Sequence, residues 1–251
     1  MSGHSKWSTI KRKKGAQDAK RGQLFTRLAR EIALAAREGG GDLDANFKLR
    51  LMVDRARKEN MPKDNIDRAI KRGLGEDKTA GEIERVTYEG YASNGIALII
   101  ECLTENKNRT ISEIRHVLSH SGGSMAEVGS VSWQFNHISY FGLPAEGADF
   151  DKVFELAVEG GANDVSSDDE TIEIFGPVES FKMLSDQLKK AGLEPDEAGL
   201  RYEPKQEIAL DKERTIKVLN VIEELEDLDD VQEVFSNLVI SEEALQAMEA
   251  N

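Results

Sequence analysis

The hydrophobic periodicity of the chain changes near residue 84, and this change most limits the folds available to it. Between residues 22 and 73, apolar side chains recur at helical spacing, as in Leu24, Leu28, Ile32 and Ala35. From residue 84 the pattern becomes that of strands, first over 86–91 and 96–104. With 251 residues to divide among cores, the chain is predicted to be a multidomain α+β protein.

Glycine and proline positions divide the first part into three short helices. Gly39, Gly40 and Gly41 follow the first helix, because glycine adopts the left-handed conformation that ends helices without a Cβ clash. A second helix is predicted over about 45–59. Pro62 suits the first turn of a third helix, which Gly73 ends. Short helices joined by short loops predict a three-helix bundle over residues 22–78.

Strands dominate the following segment, residues 79–135. Two strands flank Asn94-Gly95, a dipeptide typical of tight β-turns. The next helix is expected to begin at Thr110, in a capping box with Glu113. A strand over 130–135 then closes a strand–strand–helix–strand unit.

A second unit is predicted at residues 136–204. Its element order, βαββαβ, is typical of a ferredoxin-like domain. Residues 205–240 supply only one more helix and strand, which bury too little to stand alone. They are expected to return to the first unit, so that 79–135 plus 205–240 form a split α+β domain with the ferredoxin-like domain inserted. Residues 241–251 are expected to be a C-terminal tail.

The charge of the chain is strongly polarised. There are 33 Lys and Arg against 47 Asp and Glu overall, a net charge of −14, but residues 1–78 hold 20 against 11. The first 78 residues therefore carry +9 and the remainder −23. Such a molecule attracts polyanions at one end and repels them elsewhere. The alternative is that the acidic part serves only solubility.

Cations are densest in residues 1–21, which are predicted to form a flexible basic arm. Seven of them lie within the sixteen residues 6–21, with one tryptophan among them. Cations displace counterions from phosphate, and an indole can stack on a base. The second helix adds four cations beside its apolar stripe. The candidate nucleic-acid-binding side chains are Lys6, Trp7, Lys11, Arg12, Lys13, Lys14, Lys20, Arg21, Lys48, Arg50, Arg55 and Arg57. A solubilising tail with charged helix flanks is the alternative.

Motifs of catalysis are missing from the sequence, which has no GxGxxG, GxxxxGK[ST], GxSxG or HExxH. Cys102 alternates with apolar residues on one strand face and is expected to be buried rather than nucleophilic. His116 and His120 have the spacing of a metal pair, but they lie opposite the apolar side of their helix without an obvious third ligand. We predict no enzyme, metal, cofactor or small-molecule substrate.

Two further patterns concern partners and location. Six of the eight residues Glu223 to Asp230 are acidic; the run could hold a cation or a basic partner, but a solvated helix end is the favoured interpretation. The longest apolar run, Ile96 to Ile100, has five residues, against the roughly 20 that span a membrane. We predict no membrane association. A single cysteine and an apolar-poor start favour the cytoplasm.

Several motifs resemble those of the YebC/PmpR family, which includes a mitochondrial translational activator of cytochrome oxidase subunit one. The opening, residues 1–14, is MSGHSKWSTIKRKK. The resemblance continues through AREGGGD (36–42), NMPKDNI (60–66), YEGY (88–91), ECLT (101–104), NRT (108–110) and GSVSW (129–133). It spans most of the chain and is strongest in the first 135 residues.

The resemblance implies three domains and a cytoplasmic, non-enzymatic protein that binds DNA and regulates transcription. It also implies the alternative of a factor bound to ribosomal RNA of the large subunit, with ribosomal proteins as further partners, that assists synthesis of proline-rich stretches. Carried over onto the matched opening, it marks His4, Ser5, Lys6, Trp7, Lys11 and Lys14 as nucleic-acid contacts. A third hypothesis is a protein-interaction module that uses the ferredoxin-like edge or the acidic run, the arm being incidental.

Overall fold

The computed structural model describes residues 18–76, 81–168 and 170–249. Within these ranges lie eight α-helices and two four-stranded antiparallel sheets, so the predicted α+β class is confirmed. The chain divides into two compact units: Phe135–Lys205 forms the smaller one, and the described residues before and after it form the larger one. No helix in the described ranges is both long and apolar enough to cross a bilayer.

The helices, in chain order, are α1 (Asp18–Gly39), α2 (Phe47–Lys58), α3 (Lys63–Gly73), α4 (Lys107–His120), α5 (Phe150–Glu159), α6 (Phe181–Lys190), α7 (Lys212–Glu226) and α8 (Glu242–Glu249). The strands are β1 (Glu84–Tyr91), β2 (Ala97–Thr104), β3 (Ser124–Met125), β4 (Phe135–Pro144), β5 (Asp164–Ser167), β6 (Thr171–Pro177), β7 (Glu197–Pro204) and β8 (Val231–Ser236).

The first three helices pack around one apolar cluster centred on Leu28, Ile32, Leu49 and Val53. α1 begins at residue 18, so the last four residues of the predicted flexible arm are helical, which corrects the boundary placed at residue 22. The helix ends among the predicted glycines, where Gly40 has a φ of +84°.

A buried asparagine fixes the connection between α1 and α2. The side-chain oxygen of Asn46 accepts a hydrogen bond of 3.0 Å from the backbone N–H of Leu49 and caps α2. Its side-chain nitrogen donates to the carbonyl oxygens of Ala35 and Gly40, both at 2.8 Å. One side chain therefore holds the end of the first helix against the start of the second.

The first sheet has the strand order β3-β1-β2-β8. β1 and β2 pair along their whole length, and the turn between them has positive φ at both Asn94 (63°) and Gly95 (75°), as the dipeptide predicts. β8 pairs with β2, which brings the end of the chain back to strands that precede the smaller unit. β2 is buried along almost its entire length because both faces of the sheet are covered.

One face of this sheet forms the largest core, together with α4, α7 and α8. Cys102 lies there and is fully buried, as predicted. The predicted C-terminal tail is wrong for residues 242–249, because α8 inserts Ala244, Leu245 and Met248 into the core. On the opposite face, Leu103 packs with Ala33 and Leu34 of α1.

Two local predictions in the larger unit are wrong. Residues 130–135 do not form a strand of the first sheet; Ser132–Gln134 is a 3₁₀ turn, and the edge strand is β3. α4 begins one turn before Thr110, because Asn106 caps it by accepting from the Arg109 N–H at 3.1 Å. Thr110 is buried instead of capping.

The smaller unit has the element order βαββαβ and the strand order β5-β6-β4-β7. β4 is central, pairing with β6 on one side and β7 on the other. α5 and α6 pack on each other and on the sheet through Val153, Ala157, Leu184 and Leu188, which meet Phe141. This unit has its own core.

Candidate nucleic-acid interface

The predicted interface divides into a segment outside the described residues and a group on the first two helices. His4, Ser5, Lys6, Trp7, Lys11, Arg12, Lys13 and Lys14 lie outside the described residues. Lys20 and Arg21 fall in the first turns of α1, where Arg21 is exposed. The basic segment therefore leads directly into a helix that packs in the core of the larger unit.

The four predicted cations of α2 are engaged with groups of the bundle itself. Lys48 pairs with Glu38 of α1 at 2.7 Å, and Arg55 lies 3.9 Å from Glu31 of the same helix. Within α2, Arg57 pairs with Asp54 at 2.9 Å, and Arg50 stands 5.6 Å from the ring centroid of Phe47.

Lys48, Arg55 and Arg57 each have a carboxylate partner, which offsets part of their charge. All three stay partly exposed, with side-chain accessibilities of 43% for Lys48, 41% for Arg55 and 60% for Arg57. A phosphate would therefore compete with a carboxylate at each of them, whereas the arm segment 1–17 contains no acidic residue.

A buried carboxylate links four separated parts of the larger unit. Asp230 is 1% exposed and accepts two hydrogen bonds from Arg109, at 2.7 and 2.8 Å. Thr110 donates to it at 2.7 Å and Thr104 at 3.1 Å, while Arg30 of α1 completes the group at 3.0 Å. The network joins the first helix, the end of β2, the start of α4 and the entry to β8.

Charge and hydrogen bonding decide the ionisation of Asp230. Burial by itself would raise its pKa, but the hydrogen bonds from Arg109 and Thr110 and the charge of Arg30 outweigh burial, and the pKa lies below the ordinary value. Asp230 is the last residue of the acidic run Glu223 to Asp230, for which the sequence favours a solvated helix end. That interpretation is wrong for Asp230, whose carboxylate is enclosed by donors.

A second buried carboxylate shapes the loop at residues 126–134, which we call the Glu89 loop. Glu89 of β1 is 5% exposed and accepts backbone N–H groups from Gly129 (2.7 Å), Val131 (2.5 Å) and Ser132 (3.0 Å). Burial raises the pKa of Glu89, but the hydrogen bonds from these three donors lower it by a larger amount. The pKa therefore lies below the ordinary value. The loop is tied to the sheet by charge-assisted bonds.

The Glu89 loop presents an aromatic side chain. Trp133 is 67% exposed, and its indole N–H donates to the Ser130 carbonyl at 2.9 Å. Tyr91 donates to the same carbonyl oxygen at 3.3 Å. The indole is therefore held at its polar edge while most of the side chain stays exposed. Glu89 belongs to the YEGY motif, but the sequence does not indicate that its carboxylate organises the distant GSVSW motif.

A third carboxylate lies between the first sheet and the bundle. Burial raises the pKa of Glu101 on β2 to about 7; Arg85, 3.7 Å away, acts against this, and Glu233 on the neighbouring strand adds to it. Lys48 of α2 also lowers this pKa, whereas Glu31 of α1 raises it. Lys48, a predicted nucleic-acid contact, thus also stabilises a carboxylate of the sheet.

The two histidines of α4 are exposed, as predicted, with ring centroids 4.2 Å apart. A ring nitrogen of His120 lies 3.2 Å from the His116 carbonyl oxygen. Across the described ranges, no group of three or more His, Cys, Asp or Glu side chains is arranged to hold a metal ion.

Comparison with known proteins gives consistent matches along the chain. Residues 5–76 match the model of the TACO1/YebC protein N-terminal domain, and residues 83–238 match that of the TACO1/YebC second and third domain. A probable transcriptional regulatory protein of Borrelia turicatae is 52% identical, covering 97% of this chain and 99% of its own. One from Geotalea uraniireducens is 46% identical, covering 99% and 100%.

A solved structure also matches in fold. The crystal structure of the conserved hypothetical protein Aq1575 from Aquifex aeolicus superimposes with a TM-score of 0.78 at 39% identity. The match covers 90% of this chain and 93% of that one.

Proposed function

The chain belongs to the TACO1/YebC family, and from that premise we propose that it is a non-enzymatic, DNA-binding regulator of transcription. The printed names of its relatives support a regulatory role. The observation that carries the proposal is the cluster of seven cations and one tryptophan within residues 6–21, inside the stretch that matches the family's N-terminal domain.

In the proposed mechanism the basic end attaches the protein to DNA, and the acidic remainder of the chain limits other contacts with DNA. Lys6, Lys11, Arg12, Lys13 and Lys14 neutralise backbone phosphates, and Trp7 stacks on an accessible base. The acidic remainder of the chain repels DNA, so attachment depends on the basic end.

The proposed architecture keeps the predicted division with two corrections. A basic arm precedes a helical bundle that begins at Asp18 and extends to residue 78. A split α+β domain (79–135 plus 205–240) follows, extended by α8, with a ferredoxin-like domain (136–204) inserted between its halves. The strand order of the smaller unit and the pairing of β8 with β2 support this division. The cytoplasm is the proposed location.

The decisive measurement is binding to fluorescent duplex DNA at several salt concentrations. Reversing Lys11, Arg12, Lys13 and Lys14 to glutamate is expected to weaken binding at least tenfold. It should also reduce the slope of log K against log salt by about 3 to 4, since each phosphate contact contributes about 0.9. The matched control reverses four exposed lysines elsewhere, namely Lys182, Lys189, Lys190 and Lys212.

The same assay tests sequence preference. A cognate promoter fragment is expected to bind more tightly than a scrambled fragment of the same length at physiological salt. Equal binding to both fragments would refute a sequence-directed regulator. Undiminished activity of the charge-reversed arm variant in cells would instead favour a protein-interaction module.

A second candidate function is a ribosome-associated translation factor. The observation that favours it is the cationic arm with its single tryptophan, Trp7, because RNA recognition relies on shape and on stacking of unpaired bases. In this case the arm holds ribosomal RNA of the large subunit, and ribosomal proteins contact the acidic domains. Sedimentation of lysate from growing cells at low salt separates the candidates. Co-migration with the large subunit, lost in the arm variant, would support it; absence from that fraction would refute it.

A further inference from the structure

The apolar surface of α5 in the smaller unit extends beyond its buried side onto one exposed flank of the helix. Val153 and Ala157 face the core and are each 1% exposed. Phe150, Phe154 and Val158 lie at intervals of four residues on the adjacent flank and are 38%, 46% and 55% exposed. The apolar surface of α5 is thus wider than the part that the core of the unit covers.

A fourth apolar side chain extends this surface onto the neighbouring helix. Met183 of α6 is 48% exposed, and its terminal methyl lies beside Gly161, just after the end of α5. At the other end, the rings of Phe150 and Phe154 are 6.2 Å apart between centroids. Together the four side chains, which we call the α5 stripe, expose on the order of 300 Å².

A row of carboxylates runs beside the α5 stripe. Asp151, Glu155 and Glu159 each follow a stripe residue by one position, so they form a parallel row one step around the helix, and all three are exposed. Lys152 is the one cation of α5. The surface thus combines an apolar line with an acidic margin.

We propose that the α5 stripe binds a short amphipathic, cationic helix of a partner protein. Phe150, Phe154, Val158 and Met183 would receive its apolar side chains, and Asp151, Glu155 and Glu159 would pair with its lysines or arginines. The acidic margin disfavours nucleic acid, whose phosphates it repels. A second copy of this chain would bring the same carboxylates face to face and adds its own −14 charge.

The size of the surface agrees with a short segment. A stable interface between globular proteins buries roughly 800 Å² on each partner, more than twice what the α5 stripe exposes. Two to three turns of helix cover a line of apolar side chains of this length. The proposal does not depend on the nucleic-acid function, because it uses none of the residues assigned to that function.

The test uses the full chain and a synthetic 14-residue peptide of leucine and lysine with leucines at helical spacing. Fluorescence anisotropy of the labelled peptide measures binding. Phe154→Ser is expected to weaken binding at least tenfold. Glu155→Gln with Glu159→Gln is expected to weaken it at least threefold at low salt and negligibly at high salt. The matched control, Glu127→Gln with Glu243→Gln, removes two exposed carboxylates from the larger unit and should bind like the wild type.

Circular dichroism and thermal unfolding establish that each variant is folded. A peptide of leucine and glutamate is expected to bind at least tenfold more weakly than the leucine–lysine peptide. Unchanged peptide binding by Phe154→Ser would overturn the proposal. So would a wild-type dimer in sedimentation that Phe154→Ser dissociates, since the occupant would then be a second copy. Loss of RNA or DNA binding in that variant would also overturn it, in favour of nucleic acid.

Discussion

Replacing Glu101 by glutamine is expected to relieve a loss of stability at alkaline pH. Glu101 lies on β2 opposite Glu233 of β8, with a side chain only 12% exposed. Burial, against the opposing charge of Arg85, raises its pKa from 4.5 to about 7. The folded protein therefore holds a proton that the unfolded chain releases more readily.

The magnitude follows from the difference between the two pKa values. Each pKa unit corresponds to about 1.4 kcal/mol, so the rise corresponds to on the order of 3 kcal/mol. Because the folded-state pKa is the higher one, this stability is complete below pH 4.5 and is lost as the pH rises through about 7. Glutamine keeps the shape of the side chain and carries no charge to desolvate.

Urea unfolding of the wild type and Glu101→Gln at pH 5 and pH 8.5 measures the effect. Trp133 belongs to the larger unit, and Phe135–Lys205 contains no tryptophan, so a change in Trp133 fluorescence reports unfolding of the larger unit. The variant is expected to gain about 2 to 3 kcal/mol relative to the wild type between the two pH values. Glu243→Gln, on the exposed side of α8, should gain nothing. An equal difference between variant and wild type at both pH values would refute the reasoning.

Three further substitutions test the buried polar contacts. Asp230→Ala leaves Arg30 and Arg109 without their carboxylate and should cost about 3–5 kcal/mol of unfolding free energy in the same urea assay; an unchanged midpoint would contradict a structural role for the network. Glu89→Gln should cost about 1–3 kcal/mol and speed proteolysis within residues 126–134, whereas unaltered cleavage would show that Glu89 does not hold the loop. Asn46→Ala removes a cap and two donors and should cost about 2 kcal/mol, measured by thermal unfolding against the exposed control Asp44→Ala.

The sequence predicts those features that depend on neighbours along the chain. The end of α1 at Gly40 and the turn at Asn94-Gly95 follow from backbone preferences of single residues. The burial of Cys102 follows from the alternation of its strand. The family models confirm the predicted family membership, which depends on motifs along the sequence and needs no knowledge of the geometry.

The errors concern residues whose partners are distant in sequence. The segment 130–135 has strand-like composition, but Glu89, about forty positions earlier, takes its backbone N–H groups and bends it into a loop. Asp230 looks like one acid among many until the fold brings it to Arg109 and Thr110, 121 and 120 positions away. A pattern of neighbouring residues carries no information about such distant contacts. For the same reason the sequence does not predict that α8 packs in the core of the larger unit.

The order of strands in the first sheet has a consequence for synthesis of the protein. All four strands of the smaller unit are translated before β8, so that unit can finish folding while β2 still has an open edge. Asp230 is synthesised immediately before β8. Until then Arg30, Arg109 and Thr110 lack the carboxylate that all three contact in the folded protein. A nascent chain halted before residue 230 would therefore contain a folded smaller unit and an incomplete first sheet. In that state the edge of the hydrophobic strand Ala97–Thr104 is open to proteases and chaperones.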